Sequence, residues 1–282
     1  MATGEGIRVQ EPGDVAGHTG GCSTLKIGLL DSVLGVSWPE LSGKAAQLGF
    51  EGVELGVGAA YQESPLWNAI ACRRLKQQAE ESQVEIASVC LHTCWELSPA
   101  SPDESVRERA GDLLIEACSC TRQVGASAIL VPVTPGGEAD GEAAAERWRE
   151  VLSRTAWAAE KNAVCLCLEN VGSPFARTGE QVAMLADSVG SSAVAVYYDP
   201  GNALHADVDP VNEVLILGDR IRQVHVKDPG GDLLGDGNMD IPSLIKALQT
   251  VGYGGWLILE TPPTADPPAA ARANLAYLKA LL

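Results

Sequence analysis

Positive charge is scarce in this chain: 20 lysines and arginines face 37 aspartates and glutamates, for a net charge of −17. Nucleic acids and anionic membrane surfaces would be repelled by such a molecule, so neither is an expected partner, whereas a cation is a natural guest. No CxxC pair occurs, which argues against a thiolate zinc site. No GxGxxG follows the first apolar run and no GxxxxGK[ST] is present, so the phosphate-binding turns of dinucleotide and P-loop folds are missing. No run of about 18 apolar residues exists, and the first 24 residues lack an apolar segment suited to a signal peptide. These observations lead us to expect a cytoplasmic protein with a loose tail over residues 1–24, His18 included. The eight cysteines fit that compartment. Cys90, Cys118, Cys120, Cys165 and Cys167 sit in apolar stretches and read as reduced core residues, not as a disulfide framework.

With 46% apolar residues, the remainder can build a large core. From Lys26 onward short apolar runs alternate with longer amphipathic segments. The runs are Lys26 to Leu30, Gly52 to Leu55, Glu85 to Leu91, Ala128 to Val131, Val164 to Leu168, Val194 to Tyr198, Ile221 to Val224 and Trp256 to Leu259. Helical patterns follow them over Trp38 to Leu48, up to Ser82, Asp103 to Val124, Glu142 to Lys161, Thr178 to Ser188, Val211 to Leu217, Ile241 to Val251 and Ala269 to Leu282. Eight strand-helix pairs predict a (β/α)8 TIM barrel of the α/β class, a single domain over residues 25–282.

Four of these runs end in residues that bind metals: Glu169, Asp199, His225 and Glu260. Closed into one barrel, the runs aim three carboxylates and an imidazole at one point, where the carboxylates would repel one another without a cation. The oxygen-rich set favours Mn²⁺, then Mg²⁺, with Co²⁺ and Zn²⁺ as further candidates. Taken singly, each acid reads equally as a helix cap or a solvated strand end. Four on consecutive strands do not.

The segments LEN (168–170), YDPGNA (198–203), HVKD (225–228) and LET (259–261) resemble the metal-binding signatures of the xylose isomerase-like sugar isomerase and epimerase superfamily. Ligand intervals of 30, 26 and 35 residues suit that resemblance, which runs from about Lys26 to the end. It implies that Glu169, Asp199, His225 and Glu260 hold the metal, that Glu169 and Glu260 are the acid/base catalysts, and that a cis-enediolate forms between them. The implied substrate is a small sugar or sugar phosphate, and the implied assembly a homo-oligomer. Free-ketose 3-epimerases commonly carry a His three residues after the Asp ligand and an Arg six after the His ligand. Here those positions hold Asn202 and Gly231, a pattern closer to the ketose-phosphate branch.

Further candidates surround this set. Lys227 shares a strand face with His225 and reads as a substrate ligand or as an ion-pair partner. Asn202, His92 and Trp95 are candidate substrate contacts. Glu54 reads more readily as a polar strand end than as a group orienting a pocket residue. Asn170 and Asp228 adjoin ligands and are candidates for hydrogen-bonding support. Gly235 and Gly237 form the one glycine motif on the expected active face, where a plain turn outweighs a phosphate site. Competing activities are a lyase on the same scaffold, such as an inosose-type dehydratase or a 3-keto-glycoside-eliminating enzyme, and a non-catalytic barrel with a structural metal. A DNA-repair endonuclease of the endonuclease IV type is disfavoured by four histidines and by the charge.

Overall fold

The computed structural model describes residues 25–137 and 140–282; the expected tail over 1–24 lies outside them. Eight strands pair in parallel and in sequence order, β1 with β8, to close a barrel. They are β1 (Lys26–Leu30), β2 (Gly52–Val57), β3 (Glu85–Leu91), β4 (Ala128–Pro132), β5 (Cys165–Glu169), β6 (Val194–Tyr198), β7 (Ile221–Val226) and β8 (Trp256–Leu259). Because both faces of each strand are covered, the runs are mostly apolar instead of alternating with exposed polar residues. β4 and β5, for example, are buried at every position.

The helices around them are α1 (Trp38–Leu48), α2 (Ala69–Glu81), α3 (Glu104–Val124), α4 (Gly141–Asn162), α5 (Gly179–Val189), α6 (Pro200–His205), α7 (Pro210–Leu217), α8 (Ile241–Thr250) and α9 (Pro267–Lys279). Their starts are written locally. Asn68, Asp103, Asp140, Asp209, Asp240 and Asp266 cap α2, α3, α4, α7, α8 and α9 through side-chain oxygens, and Thr178 with Gln181 forms a capping box at α5. Each cap satisfies amides that have no partner within the helix. The main core fills the layer between strands and helices. There Trp148 of α4 is fully buried and donates its indole N–H to the Thr134 carbonyl at 2.9 Å, fixing α4 against the exit of β4. Among the described residues no helix is long and apolar enough to cross a membrane.

Candidate metal centre

Parallel closure puts the C-terminal ends of all eight strands at one mouth. Glu169 is the last residue of β5, Asp199 follows β6, His225 lies in β7 and Glu260 follows β8. One donor atom from each of the four lies within 4.8 Å of the others. His225 Nδ1 is 3.2 Å from Glu169 Oε1, 3.3 Å from Glu260 Oε2 and 3.9 Å from Asp199 Oδ2. The convergence expected from strand ends is therefore present.

Behind the imidazole sits Glu54, and here the reading as a simple polar strand end is corrected. Glu54 is fully buried inside the barrel, its Oε1 2.8 Å from His225 Nε2. Its Oε2 accepts the Ser88 hydroxyl at 2.5 Å and the Tyr197 hydroxyl at 2.9 Å, and Gln223 donates to Ser88 Oγ at 3.2 Å. Tyr197 also packs edge-on against the imidazole, ring centroids 4.6 Å apart. With Glu54 Oε1 against Nε2, the imidazole is held from behind and its Nδ1 is turned toward the other three acids.

Asp199 is locked just as tightly. Its backbone N–H donates to Asn170 Oδ1 at 2.9 Å, and Asn170 Nδ2 donates to the Asp199 carbonyl at 2.8 Å. Asn202 contributes its N–H to Asp199 Oδ1 and its amide to the Asn170 carbonyl, both at 2.9 Å. Both asparagines thus brace the ligand. Asp199 Oδ2 is buried and takes no well-aligned hydrogen bond; the Lys227 ammonium lies 2.6 Å away as an ion-pair partner. Lys227 also donates to Glu260 Oε2 at 2.7 Å. It reaches this position over Gly201, where a Cβ would stand 2.6 Å from Lys227 Cγ, so the glycine of the DPGNA segment leaves room for the lysine.

The charges around the cluster pull its two glutamates apart. Burial, opposed by His225, pushes Glu169 up to about 7. Burial also acts on Glu260, but the His225 and Lys227 charges outweigh it and hold that carboxyl well below the usual range. For His225 burial favours the neutral ring, yet Glu260, Glu54 and Glu169 win and keep the imidazole protonated well above its ordinary range. Three carboxylates around one imidazole suit a divalent cation. Glu169, Asp199, His225 and Glu260 are the residues that would hold it.

Asp228 does something other than support a ligand. Its Oδ2 accepts the Gly235 and Gly237 amides at 2.8 and 3.0 Å, and its Oδ1 the Met239 amide at 2.9 Å. It organises the connection between β7 and α8, because strand alternation turns it away from the face that His225 and Lys227 share. Across the mouth, His92 and Trp95 leave β3 in a 3₁₀ turn. Trp95 is half exposed, and His92 Nε2 lies 3.5 Å from Cys90 Sγ. Sequence reasoning missed Asp31, which follows β1 as the ligands follow their strands and accepts the Trp38 indole N–H at 2.5 Å. Burial raises its pKa, against the Trp38 hydrogen bond. The same strand-end signal could have found it.

A family model described as xylose isomerase-like TIM barrel matches residues 43–281. The chain belongs to this family. A relative in Escherichia coli (strain K12), a putative L-ribulose-5-phosphate 3-epimerase, is 31% identical over 255 residues, covering 83% of this chain and 88% of the relative. Among solved structures, an L-ribulose 3-epimerase superposes with a TM-score of 0.80 at 20% identity, covering 92% of this chain and 95% of that one. The 3-keto-D-glucoside 4-epimerase from E. coli gives 0.76 at 17% identity, over 91% and 100%. At such identities the two structures speak for the fold. These three proteins are named as carbohydrate epimerases, and an inosose dehydratase of Geobacillus kaustophilus (strain HTA426) is 28% identical over 130 residues, 37% of this chain and 42% of the relative.

Proposed function

We propose that the chain is a divalent-cation-dependent sugar isomerase or epimerase in which Glu169 and Glu260 move the proton. The observation that carries this reading is that Glu169 and Glu260 flank one imidazole, 3.2 and 3.3 Å from His225 Nδ1, within a four-residue cluster able to hold a cation. Two carboxylates on either side of one ion can take a proton from a bound substrate and return one to it, as acid/base pairs require. When bound, the cation would polarise a substrate carbonyl and acidify the adjacent C–H. Glu54 and Tyr197 fix the imidazole, Asn170 and Asn202 fix Asp199, and Lys227 fixes Glu260, so the groups need little reorganisation. Mn²⁺ is our first choice of ion, from the oxygen-rich donor set. The free, mostly buried cysteines among the described residues support a reducing, cytoplasmic location.

The test is mass spectrometry of ketoses, ketose phosphates, inososes and 3-keto-glycosides incubated in D₂O with Mn²⁺-loaded protein. Deuterium uptake without other mass change is the expected result. Loss of water or of an aglycone would replace the epimerase reading with a lyase, and no change in any compound would overturn both.

A further inference from the structure

Resting on the reading above, we propose that the substrate is an unphosphorylated polyhydroxy carbonyl compound, such as a free ketose, an inosose or a keto-glycoside, and that the mouth rejects sugar phosphates. Barrels that take a phosphate commonly hold it on amides of the loops after the seventh and eighth strands and on a helix N-terminus nearby. Here five of those amides are committed to aspartates. After β7, Asp228 accepts the amides of Gly235, Gly237 and Met239. Its carboxylate lies so close to the loop that a Cβ at Gly237 would clash with it at 2.2 Å. At the start of α8, Asp240 Oδ1 takes the Ser243 amide at 3.1 Å, and Pro242 has no N–H. At the start of α9, Asp266 Oδ1 takes the Ala269 amide at 3.1 Å, and Pro267 and Pro268 supply none. Three carboxylates thus occupy the glycine-turn amides and one first-turn amide each of α8 and α9.

Cations do not compensate. In sequence, the strand-to-helix connections at the mouth contain Arg177 and Lys227 and no other lysine or arginine. Arg177 donates to the Ala206 carbonyl at 2.6 Å with Asp207 Oδ2 at 3.9 Å, and Lys227 is engaged by Asp199 and Glu260. In the first turn of α3, Arg107 donates to the Ser101 and Pro102 carbonyls at 2.9 and 3.0 Å.

The wall opposite the four ligands offers polar groups of another kind. Gly56 lets Asp31 and His92 approach from either side: a Cβ there would stand 2.8 Å from Asp31 Oδ1 and 3.4 Å from the His92 ring. Asp31 and His92 provide a carboxylate acceptor and an imidazole, and Trp95, three residues after His92 in the same 3₁₀ turn, an exposed aromatic ring. Hydroxyl groups and the C–H face of a polyol complement that surface, whereas a dianion would meet Asp31 in a mouth already dominated by negative charge.

The experiment compares matched pairs, ribulose with ribulose 5-phosphate and fructose with fructose 6-phosphate, on Mn²⁺-loaded protein. Two readouts are taken: deuterium uptake from D₂O, and water-proton relaxation by the bound Mn²⁺ during titration, with inorganic phosphate as the control for direct anion binding to the ion. We expect uptake at least a hundredfold more efficient for the free member of a pair. Equal or better turnover of the phosphorylated member would overturn the proposal. If no compound exchanges, the isomerase reading fails and the relaxation titration decides the substrate class. Saturation by the free ketose at lower concentration upholds the class; saturation by the phosphate first, or no response to either ketose, overturns it.

Discussion

His225 Nε2 lies 2.8 Å from Glu54 Oε1, so the imidazole that faces three carboxylates through Nδ1 is held from behind by a fourth. Glu54→Gln keeps the shape but allows the amide to donate toward Nε2, which favours the wrong tautomer. Mn²⁺ affinity should fall roughly 10- to 100-fold, read by calorimetry, with the folded baseline unchanged. Tyr197→Phe, which removes one hydrogen bond to Glu54, should lose less. An unchanged affinity in both variants would mean that Glu54 does not orient the ligand.

Lys227 neutralises Asp199 and Glu260 in the same cluster. Lys227→Met leaves these carboxylates without their ammonium, so the cation-stripped protein should lose about 1–3 kcal/mol. Saturating Mn²⁺ should recover most of that loss, since the ion supplies the missing charge. Thermal unfolding with and without Mn²⁺ checks this, and an equal drop in both conditions would speak against it.

Stability of the cation-stripped protein should fall as pH rises through neutrality. Glu169 is raised from 4.5 to about 7, so it binds its proton more tightly folded than unfolded. Its contribution is complete below 4.5 and is lost as pH passes about 7. His225, also raised, acts in the same sense. Glu260, held low, contributes above its unfolded value and loses that only in acid. Between pH about 5.5 and about 8 the Glu169 share is about 2 kcal/mol. Denaturant unfolding of Glu169→Gln should show a flatter profile; parallel profiles would contradict the assignment. Mn²⁺ affinity should rise over the same interval, because the ion displaces those protons.

Asp228 offers a contrast with the ligands. It is buried and accepts three loop amides, so Asp228→Ala should cost about 2–3 kcal/mol of stability and lower turnover, while leaving Mn²⁺ affinity within about twofold. A loss of affinity comparable to that of Asp199→Asn would place it at the ion after all.

The barrel was legible because buried parallel strands are continuous apolar runs, each followed by an amphipathic helix, and every strand lies within about two residues of its expected span. The cluster of Glu169, Asp199, His225 and Glu260 was legible for the same reason: each breaks an apolar run at its C-terminal end. For Glu54 the orienting role ranked second to a polar strand end, since its partner His225 is 171 residues away and only barrel closure brings β2 and β7 face to face. Ser88 and Gln223, polar residues inside apolar runs, were the overlooked sign of that buried network. The short α6 escaped because Pro200–His205 has too few residues for an amphipathic repeat. Asp228 misled by adjacency to a ligand strand, since nothing local reveals that three amides of its own loop return to it.

The most direct test follows deuterium uptake at the carbon beside the carbonyl, by a free ketose the protein accepts, through removal and return of the ion. Uptake should be present with Mn²⁺, vanish after chelation, return on reloading, and stay absent in Glu260→Gln protein that still binds Mn²⁺. Uptake that survives chelation, or that persists at the wild-type rate in Glu260→Gln, would contradict cation-dependent proton transfer by the glutamates of this centre.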